Sequence, residues 1–290
     1  MSRGDSGARA TVTRFAPSPT GDLHLGHAYS ALFAESQARA AGGRFLVRIE
    51  DIDRGRCRPE FETGIYDDLS WLGLRWEEPV RRQSEHMNDY AEALSRLEDL
   101  DVLYPCFCTR KDIAAEIAAA GQAPHGPDGP HYPGTCRRLG PAEKQDRMGS
   151  GETYARRLDM AGAMAIAGSL HWVDRDRGET LADAGRFGDV VLARKDVPTS
   201  YHLAVTLDDH LQGVTLVTRG EDLFEATHVH RLLQALLGLD VPEYRHHPLL
   251  RGADGRRFAK RDRSLTLRAM RESGLSPDDV RRRALEAYSE

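Results

Sequence analysis

The N-terminal part of the sequence contains the pattern that most restricts the fold, a strand and a helix followed by a second strand. Residues 11–15 are rich in β-branched side chains, residues 26–41 are good helix formers that end at a glycine pair, and residues 44–50 alternate apolar with charged side chains. These three elements within about 40 residues predict a βαβ unit and a parallel sheet. We therefore expect an α/β fold.

Weaker signals follow along the rest of the chain. Helices are predicted around residues 65–72, 90–97, 111–120 and 227–237, and strands at 189–193, 201–205 and 214–218. Residues 121–134 contain four prolines and four glycines, so this segment is predicted to be irregular. Ser276, Pro277 and Asp278 form a good helix start, with a capping side chain, a proline at the first position and an acid in the first turn.

Composition excludes several classes of protein. With 40% hydrophobic and 29% charged residues, the chain has the apolar side chains for a core, which a disordered chain lacks. No apolar run approaches the roughly 18 residues of a membrane span, and residues 1–13 lack the apolar stretch of a secretory signal, so an unprocessed cytoplasmic protein without membrane contact is expected. The net charge of −5 predicts that nucleic acid binds only at a local patch. Residues 251–271 are such a patch, with eight Arg and Lys against two Asp.

The segment at residues 17–27, PSPTGDLHLGH, is the first candidate site because it joins the first strand to the first helix. His24 and His27 lie three residues apart and would share one face of the helix. Gly26 allows a ligand to approach the backbone, and the unpaired N–H groups of a helix N-terminus attract phosphate. The functional hypothesis is a phosphate site, and the alternative is a proline-rich turn with two solvated histidines.

Three carboxylates, Glu50, Asp51 and Asp53, crowd the end of the second predicted strand. Like charges at this spacing repel one another unless cationic groups accompany them. Ordinary ion pairs with the arginines at positions 48, 54 and 56 are one interpretation. The other is that a buried carboxylate recognises the ammonium group of a ligand.

Three of the four cysteines, Cys106, Cys108 and Cys136, lie within 31 residues. A chain of this size in the cytoplasm has no need of disulfides, so the cluster favours a structural zinc site, whose preferred ligands are thiolates and imidazoles. Chemistry favours an imidazole over a phenol as the fourth ligand, and the candidates are His125, His131 and Tyr132. Three ordinary buried thiols are the alternative.

The basic segment at residues 255–261, GRRFAKR, is the last candidate. A cation in a loop of this kind could contact a polyphosphate. A solvated basic surface is the commoner fate of such a run of charges.

Taken together, these motifs resemble the catalytic core of class I aminoacyl-tRNA synthetases, specifically their glutamyl branch. Residues 24–27, HLGH, resemble the HIGH signature of that class, and residues 257–261, RFAKR, stand at the place of the KMSKS signature, of which only Lys260 matches a key cation. The segments RFAPSPTG, VRIEDID and YHLAVTLDDHLQGVTLVTRGEDL are similar to the glutamyl and glutaminyl enzymes. The resemblance covers residues 11–265 and implies a ligase with a Rossmann-like core of the HIGH superfamily.

The resemblance also implies the order of parts along the chain. Residues 1–104 and 186–250 form the two halves of the catalytic core, and residues 105–185 form an inserted, zinc-binding, acceptor-like subdomain. Residues 251–290 contain the KMSKS-like loop and a C-terminal helix. By the same resemblance, one structural zinc per chain is held by Cys106, Cys108 and Cys136, and the expected fourth ligand becomes Tyr132.

The substrates implied by the resemblance are L-glutamate and ATP, the latter with Mg²⁺. The residues implied for ATP are Pro17, His24, Gly26, His27 and Lys260. Among these, the two histidines and Lys260 would be catalytic, since activation needs stabilisation of phosphate charge. The residues implied for glutamate are Arg14, Ala16, Ser18, Glu50, Tyr201 and Arg219. Glu50 would hold the ammonium group and the two arginines the carboxylates.

Chain length distinguishes the different enzymes of this glutamyl branch from one another. About 25 residues follow Ser264, fewer than a domain that reads an anticodon would need. A short glutamyl core with C-x-C and Y-x-x-x-C motifs resembles the glutamyl-queuosine tRNA(Asp) synthetases, which attach glutamate to the queuosine base of tRNA(Asp). We therefore expect a monomeric enzyme that activates glutamate without tRNA and has queuosine-bearing tRNA(Asp) as its partner. The alternatives are a truncated glutamyl-tRNA synthetase that charges the tRNA 3′ end, a non-RNA nucleotidyltransferase of the same superfold, and an inactive zinc-bearing RNA-binding module.

Overall fold

The computed structural model describes residues 9–119, 125–127, 129–249 and 266–286. It begins with β1 (Val12–Phe15), α1 (Leu25–Ala40) and β2 (Arg44–Ile49), and the two strands pair in parallel, which confirms the predicted βαβ unit. The glycine pair that ends α1 is required sterically. Gly42 has a φ of +60°, and a Cβ on Gly43 would lie 2.0 Å from the carbonyl oxygen of Thr11.

The remaining elements alternate between helices and strands. The first group is α2 (Pro59–Trp71), β3 (Glu77–Arg82), α3 (Met87–Asp99), β4 (Leu103–Cys106), α4 (Arg110–Ala119), β5 (His125–Gly126), β6 (Gly129–Pro130), α5 (Pro141–Gly149), β7 (Ala155–Leu158) and α6 (Met160–Ala167). The second group is β8 (His171–Asp174), β9 (Gly178–Leu181), β10 (Val191–Ala193), α7 (Tyr201–Leu211), β11 (Leu216–Gly220), α8 (Ala226–Leu237), β12 (Glu243–His247), α9 (Leu267–Glu272) and α10 (Pro277–Glu286).

Two sheets with parallel strands form the centre of the fold. The first has the order β1-β2-β3, and the second has the order β11-β12-β8-β9, in which only β9 is antiparallel to its neighbour. They meet where the backbone N–H of Thr215 donates to the carbonyl oxygen of Val12 at 3.0 Å. The ends of β1, β2 and β11 therefore come together at one edge, which is where parallel α/β sheets bind ligands.

A separate antiparallel sheet has the order β10-β7-β4. Of its strands, β7 lies inside the predicted insertion 105–185, β4 spans its start and β10 follows its end. The hairpin of β5 and β6 is next to this sheet in sequence. The predicted range 105–185 also contains β8 and β9, which pair with β12 beside the central strands. The boundaries of the insertion remain a prediction.

Helices cover both faces of the central sheets. Phe45 and Ile49 of β2 pack with α1, α2 and α10 on one face. Because side chains alternate along a strand, Arg14 and Arg48 point to the opposite face, where α7 lies. There α3, α7 and α8 enclose a second core around Tyr90. None of the helices in the described ranges has both the length and the apolarity to cross a bilayer.

The sequence-based prediction of a strand at residues 201–205 is wrong. These residues begin α7, with the Ser200 side chain capping its N-terminus. The helix buries residues on several sides, so its sequence lacks the polar face that would have revealed a helical period. The segment 121–134 also differs from the prediction, since β5 and β6 pair in its described part. The strands β3 and β12 were not predicted because their sequences, EEPVRR and EYRHH, are strongly polar.

A buried carboxylate between α2 and α9 makes the stability of the fold depend on pH. Asp68 is 1% exposed, and burial raises its pKa to about 6, although Arg271 and Arg268 act in the opposite direction. Between about pH 4 and pH 6 the native state therefore binds a proton that the unfolded chain has lost, and stability falls as the pH rises.

We expect Asp68→Asn to remove this dependence. The unfolding free energy of the wild type, relative to the variant, should fall by ~3 kcal/mol between about pH 4 and pH 7. Urea titrations of both proteins at the two pH values measure the difference, with Asp67→Asn as the neighbouring control. Parallel curves for the wild type and Asp68→Asn would contradict the assignment.

Candidate active site

A cavity of ≈ 330 Å³ opens at the joined ends of β1, β2 and β11. All six residues predicted for glutamate line it, together with two of those predicted for ATP: Arg14, Ala16, Ser18, Glu50, Tyr201, Arg219, Pro17 and His27. They come from five separate stretches of sequence that the two sheets, α1 and α7 bring to one place. Phe15, Ser30, Thr218, Gly220 and Leu223 also line the cavity and were not predicted.

The two histidines of the first motif stack at the N-terminus of α1. Their ring centroids are 3.8 Å apart, so they share a face as their spacing predicts. The Nδ1 atom of His24 accepts from the backbone N–H of Gly26 at 3.1 Å, and Nδ1 of His27 accepts from the backbone N–H of His24 at 3.2 Å. A neutral imidazole that accepts at Nδ1 carries its proton on Nε2. Each ring therefore has an N–H donor of the kind that binds a phosphate oxygen.

Two residues that line the cavity, Arg14 and Glu50, belong to a network of buried ion pairs. Arg14 donates to Asp209 at 2.9 Å, and Arg48 donates to Asp209 at 2.7 Å and to Glu50 at 3.1 Å. Although burial alone would raise the pKa of Asp209, the two arginines hold it below its usual value. The arginine predicted to bind a glutamate carboxylate thus has an acidic partner already, which fixes its guanidinium in place.

A second carboxylate on α7 extends this network away from the cavity. Asp208 is fully buried and accepts hydrogen bonds from Arg81, Gln83 and Tyr90, at 2.8, 2.8 and 2.9 Å. Neither Asp208 nor Asp209 was predicted from the sequence as part of the site. The signal in the sequence was a pair of adjacent acids within a helix that is otherwise mostly apolar. Acids that are buried with such a helix require cationic or hydrogen-bonding partners, so the pair indicated a buried polar network.

Arg219 has a different environment from Arg14. Its Nε, Nη1 and Nη2 atoms donate to His246, His230 and Thr227, at 3.2, 3.1 and 2.6 Å. These partners are two imidazoles and a hydroxyl, and burial holds the pKa values of both histidines well below their usual range, with Arg219 lowering them further. The positive charge of Arg219 is therefore not cancelled by them, and a buried cation of this kind favours an anionic ligand.

Glu50 and Tyr201 complete the polar lining of the cavity. Burial raises the pKa of Glu50, although Arg48 and Arg14 act in the opposite direction. Burial also raises the pKa of Tyr201, so its phenol keeps its proton at neutral pH and can donate a hydrogen bond. A ligand ammonium group beside Glu50 would favour the ionised carboxylate.

The other two acids of the carboxylate cluster do not enter this lining. Asp51 accepts from the backbone N–H and the hydroxyl of Ser84, at 2.8 and 2.5 Å. Asp53 forms ion pairs with Arg56 and Arg194 at 2.9 and 3.4 Å. Asp53 thus fits the interpretation of the cluster as ordinary ion pairs. Glu50 has an arginine partner too, but it also lines the cavity, as the recognition of a ligand ammonium group requires.

The three clustered cysteines also lie together in space. The Sγ atoms of Cys106, Cys108 and Cys136 are all within 4.8 Å of one another. Tetrahedral zinc with Zn–S bonds of about 2.3 Å separates its sulfur ligands by about 3.8 Å, so the cluster has the size of a zinc site. The Oη atom of Tyr132 lies 3.3 Å from Sγ of Cys108, whereas Nε2 of His131 is 2.7 Å from the carbonyl oxygen of Arg186. This arrangement favours the phenol over that imidazole as the fourth donor.

Lys260 lies outside the described residues, as do Arg257 and Arg261. The described chain resumes at Thr266, which forms a β-bridge with His24, and the backbone N–H of Leu267 donates to the carbonyl oxygen of Leu23 at 2.8 Å. The residues just after the predicted loop therefore pair through their backbone with the segment that contains the two histidines.

Comparison with known proteins places these features in one family. Residues 10–285 match the family described as tRNA synthetases class I (E and Q), catalytic domain. Glutamyl-Q tRNA(Asp) synthetase of Rhodobacter capsulatus is 52% identical over 93% of this chain and 98% of its own length. The protein of the same name from Symbiobacterium thermophilum is 44% identical over 92% of this chain and 83% of its own length. Glutamate–tRNA ligase of a Hydrogenobaculum species is 38% identical over 92% of this chain and 56% of its own length.

A solved structure supports the same assignment. The glutamate tRNA ligase from Elizabethkingia meningosepticum, in complex with its amino acid, superposes with a TM-score of 0.75 at 30% identity. The match covers 92% of this chain and 54% of that one, so the chain spans about half the length of the solved ligase. The chain therefore belongs to the class I tRNA synthetases (E and Q), which are ligases, and within them to the glutamyl-Q tRNA(Asp) synthetase family.

Proposed function

We propose that this protein activates glutamate with ATP and transfers the glutamyl group to the queuosine base of tRNA(Asp). The observation that carries the proposal is the charge pattern of the cavity. Its lining contains one carboxyl group, Glu50, and two guanidinium groups, Arg14 and Arg219, together with His27 of the stacked histidine pair. Glutamate carries one ammonium group and two carboxylates, so it matches this pattern.

The names of the relatives support the RNA substrate. Five relatives that are 43–52% identical are named glutamyl-Q tRNA(Asp) synthetase, and this chain covers 81–98% of their lengths. It covers only 56–57% of the length of three relatives named glutamate–tRNA ligase. The longer ligases make charging of the tRNA 3′ end the rival activity that the experiments must exclude.

In the activation step, the α-carboxylate of glutamate attacks the α-phosphorus of ATP. The bond to the β-phosphate breaks, pyrophosphate leaves, and glutamyl-adenylate remains. His24 and His27 would donate from Nε2 to phosphate oxygens, whose charge increases in the transition state, and Lys260 would contact the β- and γ-phosphates. One such donor is worth about 3 kcal/mol in the transition state. Mg²⁺ enters with ATP and supplies further positive charge to the phosphates.

In the transfer step, a hydroxyl of the queuosine cyclopentene ring attacks the activated carbonyl and AMP leaves. The RNA must therefore bring its modified base to the mouth of the cavity. We expect the inserted subdomain, residues 105–185, and the basic segment 251–271 to bind it. Two described arginines of that segment already form ion pairs within the chain, Arg268 with Asp22 and Arg271 with Asp68, so they are weaker candidates for phosphate contacts.

Pyrophosphate exchange tests the activation half of the proposal. With ATP, Mg²⁺ and glutamate, and without any RNA, the protein should exchange labelled pyrophosphate into ATP. Glutamine and aspartate should support much less exchange, because neither matches both the charges and the length of glutamate. An assay that remains silent until tRNA(Glu) is added would contradict the proposal and favour a glutamate–tRNA ligase.

A further inference from the structure

A buried chain of polar groups leads from the end of β8 to the glutamate cavity. The Oδ2 atom of Asp174 lies 2.7 Å from Nδ1 of His246, and Nε2 of His246 accepts from Nε of Arg219 at 3.2 Å. The side chains of Asp174 and His246 are completely buried. These residues stand on three strands, β8, β12 and β11, that are paired side by side.

The chemistry of the two ends assigns the proton on His246. Arginine has only donors, so the imidazole nitrogen that faces Arg219 must carry a lone pair. An ionised carboxylate has only acceptors, so the nitrogen that faces Asp174 must carry the proton. Burial and Arg219 lower the pKa of His246 to about 4, and Asp174 keeps its own pKa below the usual value through hydrogen bonds that outweigh its burial. At neutral pH Asp174 is thus an ionised carboxylate, His246 is a neutral imidazole with its proton on Nδ1, and Arg219 is a charged guanidinium.

We infer that Asp174 and His246 are positioning residues for glutamate binding, which orient Arg219 toward the substrate carboxylate and leave its charge uncancelled. This inference rests on the proposed function, since it assigns the ligand of Arg219. A carboxylate in direct contact with Arg219 would compete with the substrate, whereas a neutral imidazole accepts one N–H and leaves the charge available. Asp174 acts at a distance by keeping Nε2 of His246 unprotonated.

His230 and Thr227 also orient the guanidinium of Arg219, through its two Nη atoms. His230 accepts from Nη1 through its Nδ1 atom, and its Nε2 faces Nδ1 of His202 at 3.2 Å. The hydroxyl of Thr227 accepts from Nη2. Three of the five N–H donors of Arg219 are therefore used to hold its plane, and the orientation of the remaining donors is set.

Asp174→Asn is the first test, because it replaces the carboxylate by an amide of the same shape. The backbone N–H groups of Asp176 and Arg177 donate to Oδ1 of Asp174, at 2.9 and 3.0 Å, so the amide oxygen is expected to keep that place. The amide N–H groups would then face Nδ1 of His246, and the ring would move its proton to Nε2 and oppose Arg219. We expect the Kd for glutamate, measured by calorimetry, and the KM in pyrophosphate exchange to rise about tenfold to a hundredfold. The kcat and the KM for ATP should change less than about threefold, since activation itself does not involve these residues.

A pair of substitutions at His246 separates positioning from a general loss of structure. His246→Gln keeps an oxygen that can accept from Arg219 and should retain nearly the wild-type Kd. His246→Leu keeps the volume but has no acceptor, and it should resemble Asp174→Asn. Asp176→Asn, which removes the nearby exposed partner of Arg245, is the control and should behave as wild type.

An unchanged Kd for glutamate in both Asp174→Asn and His246→Leu would overturn the inference. Equal losses in His246→Gln and His246→Leu would also overturn it, because the acceptor would then be irrelevant. A wild-type protein that binds glutamate but performs no exchange would instead contradict the proposed function. The inference would in that case still be decided by the calorimetric Kd values of the variants.

Discussion

Replacing Arg219 by alanine should lower kcat/KM for glutamate by at least about 100-fold in pyrophosphate exchange. Arg219 is 6% exposed, and its three hydrogen-bond partners are neutral, so a bound carboxylate would be its compensating charge. Its removal leaves that carboxylate buried without a partner, which costs far more than the loss of an exposed contact. Most of the effect should appear in KM, because the carboxylate is held in the ground state as well as in the transition state.

A matched substitution controls for the loss of a positive charge. Arg175→Ala removes an arginine whose ion pair with Glu243 at 2.7 Å is exposed, and it should change kcat/KM less than about twofold. Arg219→Lys should recover only part of the affinity, because an ammonium group cannot reproduce the fork of a guanidinium. An Arg219→Ala protein with wild-type KM for glutamate would show that the cavity is not the glutamate site.

Removal of the metal should separate activation from RNA transfer. We expect one zinc per chain in the purified protein, and Cys108→Ser should abolish stoichiometric binding, because three thiolates and a phenol would form the proposed donor set. Structural zinc contributes folding energy to the segment that it connects, so the antiparallel sheet of β4, β7 and β10 should become sensitive to proteolysis. Transfer to RNA should fall at least about tenfold, while pyrophosphate exchange falls much less.

Cys57→Ser is the matched control, since this thiol lies outside the cluster. It should retain zinc and both activities. Elemental analysis that finds no metal in gently purified protein, together with free reaction of Cys106, Cys108 and Cys136 with a thiol reagent, would exclude the metal site. Equal losses of exchange and transfer in Cys108→Ser would contradict the separation of the two functions.

Local motifs predicted the parts of the fold and site that depend on short stretches of sequence. The βαβ unit was predictable because its apolar periods and its glycine pair are local signals. The stacking of His24 and His27 followed from their spacing at a helix start. The grouping of Cys106, Cys108 and Cys136 followed from their spacing in the sequence. The choice of Tyr132 as the fourth ligand required the family resemblance, because chemistry alone favoured a histidine.

The parts of the site that could not be predicted from the sequence depend on ion pairs between residues that are far apart along the chain. Arg14, Arg48 and Asp209 are separated by up to 195 residues, yet they form one network beside the cavity. A charged residue within an apolar strand shows that a partner must exist, but it does not identify that partner. The same holds for Arg219, whose orientation depends on His246 and Asp174 from strands that the sequence alone did not place beside it.

Charging of tRNA(Asp) with labelled glutamate tests the central claim most directly. Two forms of the RNA should be compared, one with queuosine at the anticodon and one with unmodified guanosine, followed by nuclease digestion to locate the label. The account predicts that label appears only on the modified RNA and in the fragment that contains the anticodon. Label at the 3′ end, or equal labelling of the unmodified RNA, would contradict it.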